Sequence, residues 1–167
     1  MKHLTALLLV LTLPAQAASE PFSGVVRSVY DGDTLTVESV AQGVVKVRLD
    51  GIDTPELKQP HGIAARDALR KLVLAVEVTI VPLDKDRYGR TVGVVYLDRM
   101  DVNAWLVRQG HAWAYLEYKP RPLLVDLEFV ARMQDRGLWA ERPQAPWDWR
   151  KAKRAADKAK REAKAER

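Results

Sequence analysis

Three short segments rich in β-branched residues follow one another near the start of the chain. This pattern constrains the fold more than any other feature. Strands are predicted at Phe22 to Tyr30, Asp33 to Ser39 and Val44 to Leu49. Asp31-Gly32 is typical of a hairpin turn between the first two strands, and Gln42-Gly43 of a turn before the third. The sequence therefore predicts three strands joined by tight turns.

The rest of the body continues with two more strands and three helices, after a loop at Asp50 to Pro60. In chain order we predict a helix at His61 to Ala75, strands at Val76 to Leu83 and Thr91 to Leu97, and helices at Val102 to Gln109 and Leu123 to Asp135. Five strands with a helix between the third and the fourth favour an α+β fold built on a small closed β-barrel of the OB type. An immunoglobulin-like sandwich is disfavoured, because loops connect its strands.

The composition narrows the chemistry that is available to this chain. Its 167 residues are 47% hydrophobic and 29% charged, which is ordinary for a single globular domain. The absence of cysteine excludes a disulfide scaffold, a thiolate zinc site and a cysteine nucleophile. The histidines, His3, His61 and His111, are too few and too scattered for a metal site built from histidines.

Residues 1–17 have the pattern of a signal peptide. Lys2 and His3 form a basic start, Leu4 to Leu13 is a largely apolar stretch, and Ala15-Gln16-Ala17 is typical of a cleavage site. A retained membrane anchor is the alternative, but the apolar stretch is shorter than the roughly 20 residues that span a bilayer as a helix. We therefore expect an exported protein, periplasmic or secreted, without stable membrane insertion after cleavage. The predicted domain covers residues 20–141.

Residues 142–167 form a basic tail. They contain ten Lys or Arg and four Asp or Glu, a net charge of +6, whereas residues 18–141 have a net charge of −2. Alanines at helical spacing predict that the tail is helical. One interpretation is a solvated helix of no further function. The other is an electrostatic arm that contacts polyanions, either nucleic acid or an anionic surface.

Four short segments carry the candidate chemistry: Asp31 to Thr34, Arg48, Asp53 to Glu56, and Arg87 to Arg90. Each alone is typical of a turn, a loop or a solvated strand residue. Together they offer hard oxygen ligands for calcium or magnesium in Asp33 and Asp53. Thr54 precedes a proline, so its extended backbone can direct its carbonyl oxygen at the same ion. We also expect positive φ at Gly32, giving a sharp turn before Asp33.

The remaining charged side chains are those that phosphodiester hydrolysis requires. Arg48 and Arg90 can bind non-bridging phosphate oxygens, and Glu56 can orient or deprotonate a water molecule. Three carboxylates and two guanidinium groups give the empty site a net charge of −1, which would repel a phosphodiester. A bound divalent ion reverses that sign, so the charge balance favours a metal-dependent site.

These segments, in this order and at this spacing, resemble the staphylococcal nuclease (thermonuclease) family. The resemblance runs from about Gly24 to Trp139 and includes Leu106 to Gly110, Tyr118-Lys119-Pro120 and Gly137-Leu138-Trp139. It implies an OB-fold barrel with three helices. It also implies calcium-dependent cleavage of DNA and RNA at the 5′ P–O bond, giving 3′-phosphate ends.

The resemblance also assigns roles to individual residues. Ca²⁺ ligands are implied at Asp33, Asp53 and Thr54, the last through its main-chain oxygen. Catalytic roles are implied for Arg48, Glu56 and Arg90, and substrate-binding roles for Arg87, Tyr88, Tyr115 and Tyr118. Two departures stand out: Arg87 replaces a lysine, and the segment from Tyr115 to Tyr118 has one more residue between its tyrosines.

The sequence therefore predicts a monomeric, exported, calcium-dependent nuclease that acts on DNA and RNA through in-line attack by water. Mg²⁺ and Mn²⁺ remain alternatives to Ca²⁺. A catalytically silent OB-fold module that binds nucleic acid is the alternative function, although such a module gains nothing from three carboxylates facing a polyanion. A protein that docks on anionic lipid is the third, although beyond Trp149 the tail offers mostly alanine as apolar surface.

Overall fold

The structure is a computed structural model that describes residues 20–117 and 120–165. The predicted signal peptide at 1–17 and the candidate substrate residue Tyr118 lie outside the described residues. Within those residues, no helix combines the length and the apolar character needed to cross a membrane.

Five principal strands form the body of the fold. They are β1 (Phe22–Val29), β2 (Thr34–Ser39), β3 (Gly43–Leu49), β5 (Glu77–Lys85) and β6 (Thr91–Leu97). Neighbours pair antiparallel in the order β3-β2-β1-β5-β6, and a parallel pairing between β3 and β6 closes the sheet on itself. The closing pairs include Val47 with Thr91 and Leu49 with Gly93. The predicted closed five-stranded OB-type barrel is confirmed.

Alternation along each strand explains why the barrel closes. In β3, Val47 and Leu49 are buried, whereas Lys46 is exposed and Arg48 is only half-buried on the outer face. The same alternation is present in most of β2 and β5, and the buried side chains of all five strands build one apolar core that includes Val26 and Leu35. Two register shifts, between Val26 and Ser28 in β1 and between Pro82 and Asp84 in β5, add the local bending that a small barrel needs.

Among the described residues, four helices surround the barrel: α1 (Gly62–Val73), α2 (Val102–Arg108), α3 (Pro122–Met133) and α4 (Pro146–Ala165). A 3₁₀ turn at Gly137–Ala140 follows α3. The α2 helix begins where Asp101 accepts a hydrogen bond from the backbone N–H of Ala104, at 2.8 Å. The predicted helix positions agree with the structure to within about two residues at either end, the usual uncertainty of a helix boundary.

Three two-residue strands were not predicted. They are β4 (Ile52–Asp53), β7 (Met100–Asp101) and β8 (Trp113–Ala114). The β4 and β8 strands pair antiparallel, which fixes Asp53 opposite Trp113. Gly51, just before β4, has a φ of 70°, and its carbonyl accepts a hydrogen bond from Tyr115 N–H at 2.8 Å. This small ladder holds the backbone of Asp53 against the barrel.

The α4 helix is attached to the barrel at its first turn. Pro146 is buried, and the Trp147 ring lies 6.4 Å from the Trp113 ring and 6.0 Å from the Tyr115 ring, between centroids. The Gln59 side-chain amide donates a hydrogen bond to the Gln144 carbonyl at 2.6 Å. From residue 151 to 165 every residue is exposed. The tail is therefore docked at its start and solvated along the rest of its length.

Candidate active site

Asp33 lies in the turn between β1 and β2 and is almost fully buried. Its Oδ2 accepts hydrogen bonds from both the backbone N–H and the hydroxyl of Thr54, each at 3.0 Å. Its Oδ1 accepts a hydrogen bond from the Thr34 hydroxyl at 3.2 Å. These contacts tie the turn to the segment after β4, so two of the predicted motifs meet at one carboxylate.

The glycine before Asp33 has a different role from the one predicted. Gly32 is not among the residues with positive φ, so the expectation of a left-handed turn there was wrong. A Cβ at this position would lie 2.7–2.9 Å from three side-chain atoms of Thr54. Glycine is required because the Thr54 side chain crosses directly over the turn to reach Asp33.

Arg48 joins the two aspartates. Its Nη1 lies 2.9 Å from Asp33 Oδ2, and its Nη2 lies 3.4 Å from Asp53 Oδ1. The same guanidinium donates hydrogen bonds to the carbonyls of Leu49 and Ile52, at 3.1 and 3.0 Å. Four acceptors therefore fix its orientation, and Asp33, Asp53 and Arg48 form one cluster although they are distant in sequence.

Burial raises the pKa of two acidic side chains at the cluster. Burial raises the pKa of Asp53, and the hydrogen bond from Arg150 works against that rise. Asp31 is an acidic neighbour that the sequence analysis treated only as part of a hairpin turn. Burial, and next the repulsion from Asp33, raise the pKa of Asp31 to about 6. The Asp-x-Asp spacing of Asp31 and Asp33 was the signal that could have identified it.

Arg90 reaches the cluster through one intermediate side chain. Its Nε donates to Asp86 Oδ2 at 2.7 Å, and its Nη1 lies 3.4 Å from the Thr34 hydroxyl, which in turn contacts Asp33. Asp86, which the sequence analysis did not single out, also accepts hydrogen bonds from the backbone N–H groups of Tyr88 and Arg90. It therefore both shapes the turn and orients the Arg90 guanidinium.

Glu56 contacts a residue that the sequence analysis missed. Arg150, in the first turns of α4, donates to Asp53 Oδ2 at 2.7 Å, Asp53 Oδ1 at 3.2 Å and Glu56 Oε1 at 3.0 Å. These hydrogen bonds, above all those that Arg150 donates to Asp53, raise the pKa of Arg150 above its usual value. The sequence analysis counted Arg150 as one of many tail charges. The nearest signal was the pair Trp147 and Trp149 just before it.

The candidate substrate residues are more dispersed. Arg87 and Arg90 both lie over the Tyr88 ring, at 5.0 and 5.6 Å from its centroid, and that ring is 70% exposed. This surface is open to a ligand. Tyr115 follows β8, where its hydroxyl contacts Glu117 and its ring faces Trp147. The structure thus places Tyr88 with the arginines of the turn and Tyr115 with the start of α4.

The donor chemistry fits a hard divalent cation. Within residues 20–117 and 120–165, no three His, Cys, Asp or Glu side chains gather in a ready-made metal site. The candidate set consists of Asp33 and Asp53, with Thr54 alongside, and two guanidinium groups lie against these carboxylates. Buried carboxylates that already attract cationic groups are suitable ligands for Ca²⁺, with backbone oxygens and water completing the coordination.

The barrel and this cluster together define a class: an OB-fold protein with buried carboxylates and arginines arranged for phosphate chemistry. A family model for the staphylococcal nuclease homologue matches residues 46–141. The chain belongs to the staphylococcal nuclease family.

Similar proteins occur in bacteria and plants. An uncharacterized endonuclease of Escherichia coli is 40% identical over 154 residues, which cover 91% of this chain and 99% of that protein. A micrococcal nuclease of Shigella flexneri is 39% identical over 163 residues, covering 90% of this chain and 91% of that protein. A probable staphylococcal-like nuclease of Oryza sativa is 42% identical over 118 residues, 70% of this chain but only 36% of that longer protein.

Proposed function

We propose that this protein, a nuclease by family, is a calcium-dependent enzyme that hydrolyses phosphodiester bonds of DNA and RNA and leaves 3′-phosphate ends. The observation that carries the proposal is the Arg48 guanidinium, which spans the two buried carboxylates Asp33 and Asp53. Phosphate chemistry needs cationic donors next to a metal-binding carboxylate pair, and this arrangement supplies both. The relatives named as nucleases support the same chemistry.

Each charged side chain then has a defined task. Arg48 and Arg90 bind the non-bridging oxygens of the scissile phosphate and stabilise the charge that develops there. Glu56 holds a water molecule for in-line attack and accepts its proton. Asp33 and Asp53 would hold Ca²⁺, which contributes Lewis-acid stabilisation of the phosphate when bound. Tyr88, exposed beside both arginines of its turn, is placed to contact the nucleotide.

We expect Glu56→Gln to lower calcium-dependent DNA hydrolysis by at least about 10²-fold, because glutamine cannot accept the proton of the attacking water. The measurement is the initial rate of plasmid nicking with Ca²⁺ and with excess chelator. Glu77→Gln, which changes an exposed carboxylate on β5, is the matched control and should retain the wild-type rate. Equal rates in all three proteins, or equal rates with and without chelator, would contradict the proposal.

Export is part of the same proposal. Residues 1–17 carry the pattern of a cleavable signal, so the substrate would be nucleic acid outside the cytoplasm. Cysteine is absent from the chain, so folding outside the cytoplasm requires no disulfide formation.

The exposed part of α4 is proposed to bind the phosphate backbone outside the active site. Residues 151–165 contain seven Lys or Arg and two Asp or Glu, and all are exposed.

We expect Lys160→Gln/Lys164→Gln to weaken duplex binding in chelator, with the slope of log K against log salt falling by about 0.9 for each phosphate that the variant no longer neutralises. Lys71→Gln/Arg99→Gln removes the same charge from the barrel surface and serves as the control. If both double variants reduce the slope equally, α4 has no special role in binding.

A further inference from the structure

The start of α4 directs one cationic side chain at the active-site carboxylates. Trp147 packs against Trp113 and Tyr115, and Arg150 follows three residues later, which places both side chains on the same face of the helix. The packing of Trp147 therefore fixes the position of the Arg150 guanidinium beside the carboxylates. Other basic residues of α4 lack this constraint, because from residue 151 onward the helix is fully exposed.

The contacts of Arg150 cover the acidic side of the site. Its two terminal nitrogens bind both carboxylate oxygens of Asp53 and one of Glu56, at 2.7–3.2 Å. With Arg150 in place the Asp53 side chain is only 3% exposed, so the guanidinium helps to cover this carboxylate. A cation that approaches Asp53 from the α4 side meets Arg150 first.

The charge balance changes with Arg150 in place. Asp33, Asp53 and Glu56 contribute −3, and Arg48 and Arg90 contribute +2. Arg150 contributes one more positive charge and brings the sum over these six side chains to zero, with the Asp31 carboxylate as a further acidic neighbour. The docked state therefore weakens the negative potential that attracts a divalent ion, and it occupies oxygens that would serve as ligands.

We propose that Arg150 is a built-in cation that competes with the divalent metal for Asp53 and Glu56. Metal loading then requires the guanidinium to leave, and α4 sets the metal concentration at which the nuclease becomes active. This inference rests on the proposed function, because it assigns Asp53 to the metal. A purely structural ion pair that fastens α4 would not change the affinity for metal in this direction.

The surroundings leave Arg150 room to move away from the carboxylates. A cleft between α4 and the barrel adjoins the guanidinium, lined by residues of both: Tyr30, Asp31, Lys58, Trp149 and Arg154. The Arg150 side chain is itself 35% exposed, so it can turn toward solvent or toward a substrate phosphate in this cleft.

The decisive measurement is calorimetric titration of Ca²⁺ into the full chain without nucleic acid. Arg150→Gln should bind Ca²⁺ about tenfold or more tightly than the wild type, within the usual range of couplings between linked sites. Arg27→Gln, the same change at an exposed arginine of β1, should bind within about twofold of the wild type. Asp53→Asn should abolish the heat of binding in each background, which assigns the titration to this site.

Linkage supplies a second readout, measured on the wild type and compared with Arg150→Gln. If metal and Arg150 compete, Ca²⁺ must weaken the contacts of Arg150 by the same factor by which those contacts weaken Ca²⁺ binding, and these contacts help to hold the start of α4. We expect Ca²⁺ to accelerate hydrogen exchange near residues 146–150 in the wild type and to have no such effect in Arg150→Gln. Trp147→Ala, which loosens the helix but keeps the arginine, should also tighten Ca²⁺ binding.

The titration distinguishes failure of the proposed competition from failure of the proposed calcium dependence. Ca²⁺ affinities that are equal in the wild type and Arg150→Gln, with Asp53→Asn still abolishing binding, would overturn the competition and leave the proposed nuclease site standing. An absence of Ca²⁺ binding in every variant would overturn both the competition and the calcium dependence. Equally tighter binding in Arg150→Gln and Arg27→Gln would show that net charge alone accounts for the effect, and it would also overturn the specific role of Arg150.

Discussion

Arg48→Gln is expected to lower kcat/KM for DNA hydrolysis by about 10³-fold. Removing one fixed donor to a developing oxyanion typically costs 10²- to 10³-fold, and Arg48 offers a rigid pair of donors. It also lies 2.9 Å from Asp33 and 3.4 Å from Asp53, so its loss disturbs the electrostatic balance of both carboxylates. The measurement is steady-state hydrolysis of a defined oligonucleotide in saturating Ca²⁺.

Two further variants show whether the loss of kcat/KM in Arg48→Gln comes from the loss of donors to the phosphate. Arg27→Gln removes an exposed strand arginine that pairs with Glu38, and its activity should match the wild type. Arg48→Lys keeps the charge but loses the fork geometry, so it should recover only a small part of the activity. Full activity in Arg48→Gln, with the same thermal unfolding midpoint as the wild type, would show that Arg48 does not bind the phosphate.

Local patterns were sufficient to predict the barrel. Alternating burial in β2 and β3 follows directly from residue order, because apolar side chains recur every second position. The β4–β8 pair could not be found in this way. Ile52 pairs with Ala114, and no periodicity within a two-residue strand records a partner so far along the chain.

Residue chemistry indicated part of the site. Asp33, Arg48 and Asp53 were predicted to converge, from their chemistry and from the family resemblance, and the structure brings them together. Arg150 was missed because a run of similar charges predicts only that the run is solvated. What distinguishes Arg150 from the other basic residues of the tail is its position on α4 relative to Trp147. Trp147 packs against Trp113, which belongs to another element of the fold, so the tail sequence alone does not show this contact.

The expectation of positive φ at Gly32 was also wrong because of a contact with a distant part of the chain. Its sequence context, Asp-Gly before a strand, is typical of turns in which glycine supplies positive φ. The actual requirement is space for Thr54, which is 22 residues later in the chain. A glycine pattern shows that something small is needed, but only the packed structure shows whether the reason is backbone conformation or a close neighbour.

Asn103→Ala is expected to lower the free energy of unfolding by about 4 kcal/mol, because three hydrogen bonds of one buried amide would be lost at once and the Val95 N–H would lose this acceptor. Asn103 is fully buried at the start of α2. Its Oδ1 accepts a hydrogen bond from Val95 N–H at 3.1 Å, and its Nδ2 donates to the carbonyls of Asp50 and Gly93 at 2.9 and 3.3 Å. A single amide thus joins α2 to β6 and to the end of β3.

Urea unfolding of the wild type and of Asn103→Ala measures the effect as a shift of the midpoint at constant slope. Gln134→Ala removes an exposed amide at the end of α3 and should change stability by less than about 0.5 kcal/mol. Asn103→Asp keeps an acceptor for Val95 but loses both donors and adds a buried charge, so it should be at least as destabilised as the alanine variant. A loss below about 1 kcal/mol in Asn103→Ala would mean that water replaces the amide, and that α2 is held to the barrel by apolar packing alone.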